Sequence, residues 1–514
     1  MKRSLSHLLP FLFAGFFFCV VFYILKPLAS DQPFLHDEAI YLAKARMWLK
    51  GVPADAWGVY RPVGLSLVGW VILQYTQSEQ IVRLWGVLMG AATISALFLF
   101  FRRLTNIWVA LAATTIIASS YLFLREAPQF LDDIPAAGFL VGMLYCLSCH
   151  YEDTNKSNCI YFAAPLAALA FYLRYGSILP LAVIGVVTVI IYRSKDVRKE
   201  GSALLITFIL FLPHFIQAQI TTGSLTGILT AARSIAHAPS YFGEAFIDYL
   251  QWLPRETYPA ASPLNRTVPR QFVPCGSPYS ELGGVLMGAA VIMGVISLLF
   301  IVTRPALRTR YRGIVWLGLI GAFTFLLISL AVHAEPRYVF LPLALLTCVG
   351  AAGVFNALAK YTQIGAKLSM LLMILVALLM AQRHYYLAER FAFAWKKSVA
   401  YPAYSKIAKD VHGRSCVVWS ALLQPATSWY TECRTPSVLT YEHLYRDLAK
   451  YTNHALYSIA FTSLPNSQLL PKDPNLQGVR FTEIYRRKAV SLSCKYPKGD
   501  LIIYRMETKF HKER

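Results

Sequence analysis

The stretch "PFLHDEAIYLAKARMWLKG", residues 33–51, decides how the rest of the chain is interpreted. It follows an apolar run from about Leu8 to Leu28 that is long enough to cross a membrane. Its own opening is polar, because Asp37 and Glu38 stand side by side at the start of a segment with helical character. Charged side chains beside hydrocarbon are costly and usually functional, so this acidic pair needs a reason.

The composition indicates a membrane protein. The chain of 514 residues is 56% hydrophobic and only 15% charged, whereas about one quarter of a soluble domain is charged. A net charge of +22 would suggest nucleic-acid binding in a soluble protein. Here Lys and Arg form short clusters between apolar runs, as topology signals do. We therefore expect membrane lipids, and no nucleic acid, among the partners.

Eleven apolar runs are predicted to span the membrane, since a helix needs about 20 apolar residues to cross it. They cover residues 8–28, 83–101, 107–124, 134–149, 159–173, 176–192, 202–220, 282–303, 314–332, 338–357 and 367–382. A further run, residues 62–76, is shorter and is predicted to be interfacial or re-entrant. The first run is predicted to be a span rather than a signal peptide, because no small-residue cleavage site follows it cleanly.

The basic loops predict the orientation. With the N-terminus in the cytoplasm, the cytoplasmic loops include residues 102–103, 192–201, 303–313 and 360–367, the most basic short loops of the chain. A full span at residues 62–76 would reverse every later loop and break the positive-inside rule. We therefore expect a multi-pass protein of a bacterial inner membrane, with its C-terminal part in the periplasm or outside the cell.

The chain is predicted to be mainly α-helical and polytopic, with a transmembrane domain at residues 1–384 and an extracytoplasmic α/β domain at residues 385–514. The outer loops of the first domain are predicted at residues 29–82, 125–133, 221–281 and 333–337. The second domain is more polar, and its short β-branched or aromatic runs at 416–421, 437–441, 454–461 and 500–506 predict strands. A helical stretch, "YEHLYRDLAKY", lies between them.

Four cysteines lie outside the membrane in this topology: Cys275, Cys416, Cys433 and Cys494. An oxidising compartment permits disulfides, and Cys416 with Cys433 is the favoured pair. Four free thiols are an equally open alternative.

Ionisable side chains of both signs gather at membrane ends on the predicted outer face. They are Asp37, Glu38, Arg61, Arg83, Arg125, Glu126, Asp132, Asp133, Arg174, Glu335 and Arg337. Such a site can hold an anionic head group with arginine while a carboxylate takes a proton from a nucleophile. Plainer interpretations remain open. Asp37 and Asp133 could be helix caps. Arg61 and Arg337 could be interfacial anchors, and His36 a solvated neighbour.

Several segments, in this order, resemble the GT-C glycosyltransferases, most closely the family 39-type enzymes. They are "HDEAIYLAKARMWLKG", "YRPVGLSLVGW", "RLWGVLMGAATISALFLFFRRL" and, later, "EPRYVFLPLALL". That family includes the dolichyl-phosphate-mannose protein mannosyltransferases, their bacterial relatives and the lipid A aminoarabinose transferases. The resemblance covers residues 8–200, continues through the late segment and does not reach the C-terminal domain.

The resemblance implies an integral-membrane glycosyltransferase. Such an enzyme moves a sugar from a polyprenyl-phosphate carrier to a hydroxyl or phosphate of a lipid, glycan or protein acceptor on the non-cytoplasmic face. Attack opposite the leaving phosphate would invert the anomeric centre. The chain has "RPVG" where many family members have Lys or His before two prolines, which leaves the donor sugar open.

The resemblance also implies roles for single residues. Asp37 matches the first-loop acid, the proposed general base, and Glu38 accompanies it. Asp132 or Asp133 matches the second-loop acid, with the register left open. The residues expected near the carrier phosphate are Arg61, Arg83, Arg174, Arg337 and Tyr338.

No cofactor is required by this sequence. No His, Cys and carboxylate set has zinc-like spacing, although the carboxylates could bind a divalent cation. No Walker A or Rossmann glycine pattern is present in the sequence. The alternative function is a polytopic transporter or lipid flippase, which would need ionisable groups near the middle of its spans. Here those groups collect at the ends of the spans.

Overall fold

The structure is mainly helical, with one small sheet near the C-terminal end. The computed structural model describes residues 2–34, 36–52, 61–153, 158–228, 244–252, 285–331, 335–393, 400–411, 413–420, 424–436, 451, 453–462, 471, 478–490 and 499–508. The helices before residue 230 are α1 (Lys2–Leu25), α2 (His36–Lys50), α3 (Val63–Leu73), α4 (Glu79–Leu104), α5 (Ile107–Ala118), α6 (Tyr121–Glu126), α7 (Asp133–Glu152), α8 (Ile160–Leu173), α9 (Ile178–Tyr192) and α10 (Val197–Thr222). The later helices are α11 (Glu244–Trp252), α12 (Val285–Val302), α13 (Pro305–Arg310), α14 (Arg312–Ala331), α15 (Phe340–Ala359), α16 (Gln363–Phe393), α17 (Ala400–Val411) and α18 (Gln424–Thr431).

Eight helices of the described ranges are long and apolar enough to cross a membrane. They are Leu8–Leu28, Glu79–Leu104, Asp133–Glu152, Tyr175–Tyr192, Val197–Thr222, Arg312–Ala331, Pro336–Ala359 and Gln363–Glu389. Each coincides with a predicted span. The predicted spans at 107–124, 159–173 and 282–303 fall on shorter apolar helices, and the run at 62–76 contains the short helix α3. The mainly helical membrane fold is confirmed, while the count of eleven spans stays a prediction.

The predicted span at 107–124 is interrupted in the structure, where α5 ends at Ala118 and α6 begins at Tyr121. The reason is local, because Ser120 has an extended backbone and its hydroxyl accepts a hydrogen bond from the Phe123 amide at 3.2 Å. A serine in this position caps a new helix rather than continuing the old one. The short helix α6 then leads directly into the loop before α7, the predicted second outer loop.

The central helix of the bundle is α15, since 83% of the span that contains it is buried. By contrast, only 17% of each of the spans containing α1 and α16 is buried, as expected for lipid-facing helices. Small residues let neighbouring helices approach α15 closely. A β-carbon at Gly350 would overlap the backbone oxygen of Ala290 in α12, and one at Gly294 would overlap that of Leu346. The 3₁₀ turn Pro336–Val339 directly precedes α15.

The C-terminal region contains a four-stranded sheet with the order β1-β2-β4-β3. The strands are β1 (Cys416–Ser420), β2 (Ala455–Phe461), β3 (Val479–Val490) and β4 (Gly499–Thr508). β1 and β2 are parallel, and the other neighbours are antiparallel. Three of these strands were predicted from the sequence. The strand β3 was not predicted from the sequence. It is an edge strand, and its charged residues interrupt the apolar alternation.

The predicted disulfide between Cys416 and Cys433 is present. The predicted strand at 437–441, the stretch "YEHLYRDLAKY", Cys275 and Cys494 lie wholly or almost wholly outside the described residues. The helix α16 runs across the predicted boundary between residues 384 and 385, so the division into two domains stays a prediction.

The orientation can be tested with one engineered cysteine. Arg310 is exposed in the basic segment 303–313, which the positive-inside rule assigns to the cytoplasm. In a background without other reactive thiols, we expect Arg310→Cys to react with a membrane-impermeant maleimide only after the cells are permeabilised. The matched control is Glu507→Cys, which is exposed in the C-terminal sheet and should react in intact cells. The reverse pattern of labelling would overturn the orientation.

Candidate active site

The carboxylate of Asp37 lies between two guanidinium groups. Its Oδ1 is 2.6 Å from Nη2 of Arg61, and its Oδ2 is 2.6 Å from Nη2 of Arg337. Asp37 lies in the first turn of α2, whereas Arg61 precedes α3 and Arg337 precedes α15. Three separate elements therefore meet at one carboxylate, whose side chain is only 17% exposed.

The network extends from Arg337 to two further carboxylates. Its Nη2 is 2.8 Å from Oε2 of Glu335, and its Nε is 3.5 Å from Oδ2 of Asp133. The Oδ1 of Asp133 is in turn 2.5 Å from Nη1 of Arg174. Positive and negative groups alternate along the chain of contacts, so each charge has an opposite neighbour in a partly buried place.

Tyr338 provides an aromatic face to the same cluster. The guanidinium carbon of Arg174 is 4.4 Å from the centroid of the Tyr338 ring, and that of Arg337 is 5.5 Å away. Both distances are within the range of cation–π attraction. The ring therefore helps to keep the two guanidiniums on one side of the cluster.

Local charges control the protonation of the groups outside the spans. Burial alone would lower the pKa of the Arg61 guanidinium, but the adjacent Asp37 raises it above its ordinary value. The pKa of Arg174 is raised in the same way by Asp133. Both guanidiniums therefore stay charged at any physiological pH, as a site for an anion requires.

Glu38 and Arg83 form a separate buried pair. Nη2 and Nε of Arg83 lie 2.7 and 2.9 Å from the two carboxylate oxygens of Glu38. Glu38 is fully buried, and Arg83 is 4% exposed. Arg83 also donates to the backbone oxygens of Ser30 and Gln32, and Glu38 accepts from the amide of Phe130. The pair therefore connects α2 with α4, with the segment before α2 and with the loop before α7.

The two neighbouring aspartates of the predicted second outer loop have different surroundings. Asp133, the first residue of α7, joins the network of Arg174 and Arg337. Asp132 accepts a hydrogen bond from the hydroxyl of Tyr41 at 2.8 Å. Tyr41 is fully buried on α2, and burial followed by the charge of Asp132 raises its pKa well above the ordinary value. The site residues predicted from the sequence therefore form three groups. The central network contains Asp37, Arg61, Asp133, Arg174 and Arg337. Glu38 pairs with Arg83, and Asp132 accepts from Tyr41.

Three residues at the site were not identified as site residues from the sequence. Tyr41 lies one helical turn after Asp37, so helical periodicity could have identified it. Lys44 donates from Nζ to the backbone oxygen of Arg61 at 2.7 Å, and burial lowers its pKa to about 8. Tyr249 of α11 bonds the backbone of Glu335, accepting from its amide at 2.9 Å and donating to its carbonyl at 3.1 Å. No local pattern points to Tyr249, because its partner is distant in sequence.

A cavity of about 50 Å³ opens beside the charged network. Its charged and aromatic polar lining comes from Asp133, Arg174, Arg337 and Tyr338, and Ser177 and Thr324 add hydroxyl groups. The remaining lining is mostly apolar and includes Leu140, Leu179, Ile328 and Leu341. The space thus joins a cationic patch to hydrocarbon-like walls.

Within the described ranges, no group of three or more His, Cys, Asp or Glu residues could hold a metal ion.

One family of known proteins matches part of the sequence. Residues 62–216 match the family described as dolichyl-phosphate-mannose-protein mannosyltransferase. The match includes Asp132, Asp133 and Arg174, but it begins after Asp37 and ends before Arg337. A comparison with curated protein sequences found no match.

Solved membrane proteins share the architecture over nearly the whole chain. ArnT from Cupriavidus metallidurans in the apo state matches with a TM-score of 0.63 and 12% identity, over 96% of this chain and 97% of that chain. ArnT bound to undecaprenyl phosphate matches with a TM-score of 0.59 and 13% identity, over 95% and 97% of the two chains. The archaeal oligosaccharyltransferase AglB from Archaeoglobus fulgidus, in complex with an inhibitory peptide and a dolichol-phosphate, matches with a TM-score of 0.55 and 14% identity, over 87% and 69%.

At these identities the solved structures establish a shared fold. The match to ArnT also includes the C-terminal region, which the resemblance in sequence did not reach. The family match and the structural matches agree with each other and with the order of motifs in the sequence. The chain therefore has the fold of the GT-C superfamily of glycosyltransferases, and the resemblance predicted from its sequence is confirmed.

Proposed function

We propose that the protein transfers a sugar from a polyprenyl-phosphate carrier to an acceptor hydroxyl or phosphate on the non-cytoplasmic face of the membrane. The observation that carries this proposal is the position of Asp37 between Arg61 and Arg337, beside a cavity with a cationic end and apolar walls. The similar fold of ArnT, which has been solved with undecaprenyl phosphate bound, supports the class of carrier.

The cavity has the chemistry that a lipid phosphate needs. Arg174 and Arg337 both lie close to the Tyr338 ring and present planar guanidiniums, which bind phosphate oxygens through paired hydrogen bonds. The apolar wall, with Leu140, Leu179 and other side chains, continues between membrane helices. We place the carrier phosphate at the arginines and its isoprenoid chain along the apolar wall.

Asp37 is the proposed general base. A positioned base contributes about 10²- to 10⁴-fold to the rate, and fixed donors around the leaving phosphate typically contribute more. Both oxygens of Asp37 contact arginine in the described conformation. A phosphate that binds Arg337 would compete for its Nη2 and release Oδ2 of Asp37, which could then accept the proton of the acceptor. Attack from the side opposite the phosphate would invert the sugar.

The remaining predicted residues are assigned supporting roles. Asp133, rather than Asp132, is proposed as the second-loop acid, because only Asp133 contacts Arg174 and Arg337. Glu38 and Arg83 are proposed to hold the start of α2 in place, since they are buried against each other. No step is assigned to a metal.

The first test replaces the proposed base. Asp37→Asn keeps the size of the side chain but cannot take a proton, so we expect transfer from a polyprenyl-phosphate sugar to fall by at least about 100-fold. The matched control is Asp153→Asn, whose aspartate pairs with Arg103 at 3.1 Å at the opposite end of the bundle. The control should retain activity, and wild-type turnover in Asp37→Asn would remove the general-base role.

The second test concerns the carrier phosphate. Arg174→Ala and Arg337→Ala each remove charge-assisted hydrogen bonds of about 1.5–3 kcal/mol, so we expect the affinity for a polyprenyl phosphate to fall by about 10- to 100-fold. Binding can be measured by calorimetry in detergent. Arg103→Ala, at the far end of α4, is the control and should bind normally. Unchanged affinity in both variants would contradict the phosphate assignment.

The third test separates Arg83 from the other arginines. Arg83→Met leaves the carboxylate of Glu38 buried without its partner, which costs about 3–5 kcal/mol. We therefore expect a clear drop in the unfolding temperature in detergent. Arg310→Met, at an exposed position, is the control for loss of one arginine. Normal stability combined with lost carrier binding would instead place Arg83 in the substrate site.

A further inference from the structure

The helix that carries Asp37 is also held by the C-terminal region. Arg46 lies on α2 in the third turn, and its guanidinium points at the end of α18. Its Nη1 donates to the backbone oxygen of Trp429 at 2.6 Å, and its Nη2 donates to that of Ser428 at 2.9 Å. Arg46 is only 4% exposed, so these contacts occur in a buried place.

Helix chemistry explains why an arginine stands there. The last four carbonyls of a helix have no partner within it, and Ser428 and Trp429 belong to the last four residues of α18. The Ser428 oxygen also accepts from the amide of Glu432, just beyond the helix, at 3.0 Å. A cation at this end also complements the helix dipole. The guanidinium carbon lies 4.6 Å from the centroid of the Trp429 ring, which adds a cation–π contact. A lysine has one nitrogen in place of the planar fork and cannot keep this whole set.

A second contact holds the chain just before α2. The hydroxyl of Tyr430 accepts from the amide of Phe34 at 2.8 Å and donates to Oε1 of Glu79 at 3.1 Å. The Phe34 ring packs edge-on against Trp429, with 5.6 Å between the centroids. α18 therefore contacts the chain before Asp37, at Phe34, and the helix after it, at Arg46.

Apolar packing and a disulfide support the interface between α2 and α18. Ala426 and Trp429 share one buried cluster with Ala39 and Leu42 of α2. The disulfide between Cys416 and Cys433 closes the loop that contains α18 and ties it to β1.

We propose that Arg46 and Tyr430 are positioning residues, through which the C-terminal region holds Asp37 in its reactive place. The C-terminal region is then part of the catalytic unit rather than an appended acceptor-binding module. This inference rests on the proposed transferase function and adds to it the role of α18. Positioning matters because a displacement of about 1 Å can reduce a rate about 100-fold.

The test uses the full-length protein with Arg46→Lys and, separately, Tyr430→Phe. We expect kcat to fall at least about tenfold, with little change in the KM for the carrier, because Arg174 and Arg337 lie on other elements. Hydrogen exchange should become faster in residues 36–50 of both variants. Arg487→Lys, an exposed arginine of β3, is the matched control and should change neither measurement.

The outcomes separate the two proposals. If the wild-type protein does not transfer sugar, the proposed function fails, but the exchange measurement still decides whether α18 holds α2. Unchanged exchange in residues 36–50, or a kcat within twofold of wild type in both variants, would overturn the positioning role. Tyr430→Phe keeps the aromatic ring and its packing, so it provides a folded variant if Arg46→Lys is unstable. An increase in acceptor KM alone would favour an acceptor-binding module instead.

Discussion

The arrangement of the site depends on the contact of Asp37 with Arg61 and Arg337. A single charge in a partly buried place is unstable, because removal from water costs several kcal/mol. One carboxylate between two guanidiniums meets that constraint and also joins segments that are distant along the chain. Asp37 and Arg337 are separated by 300 residues, yet their atoms lie 2.6 Å apart. A shift of any of the segments that carry Asp37, Arg61 or Arg337 would therefore separate opposite charges in the site.

The rigid parts of the structure place those charges. The central helix α15 is packed on several sides and begins directly after the turn that holds Arg337. On the other side, α2 contacts both α3 and α18, so the helix that carries Asp37 is supported by the membrane bundle and by the C-terminal region together. The helix α11 contributes Tyr249, which bonds the backbone of Glu335 next to Arg337. These supports share the task of keeping the acid and the arginines at fixed separations.

The sequence identified the ionisable residues of the site but not their pairing. Asp37 and Glu38 are neighbours in sequence, but consecutive residues of a helix point about 100° apart. One therefore joins the network beside the cavity, whereas the other turns inward to Arg83. The same reason left the choice between the two aspartates of the second outer loop open. Pairing depends on which helix lies opposite, and no local pattern contains that information.

The sequence by itself indicated the membrane class, the apolar runs, a favoured disulfide pair and the set of charged residues at one end of the bundle. These features follow from local properties, namely hydropathy, loop charge and residue type. Only the tertiary structure decided which charges meet and that a cavity has arginines at one end and apolar side chains along its walls. It also decided that α18 packs against α2, the helix that carries Asp37. Those features are contacts between distant segments, and their geometry exists only when the helices are packed.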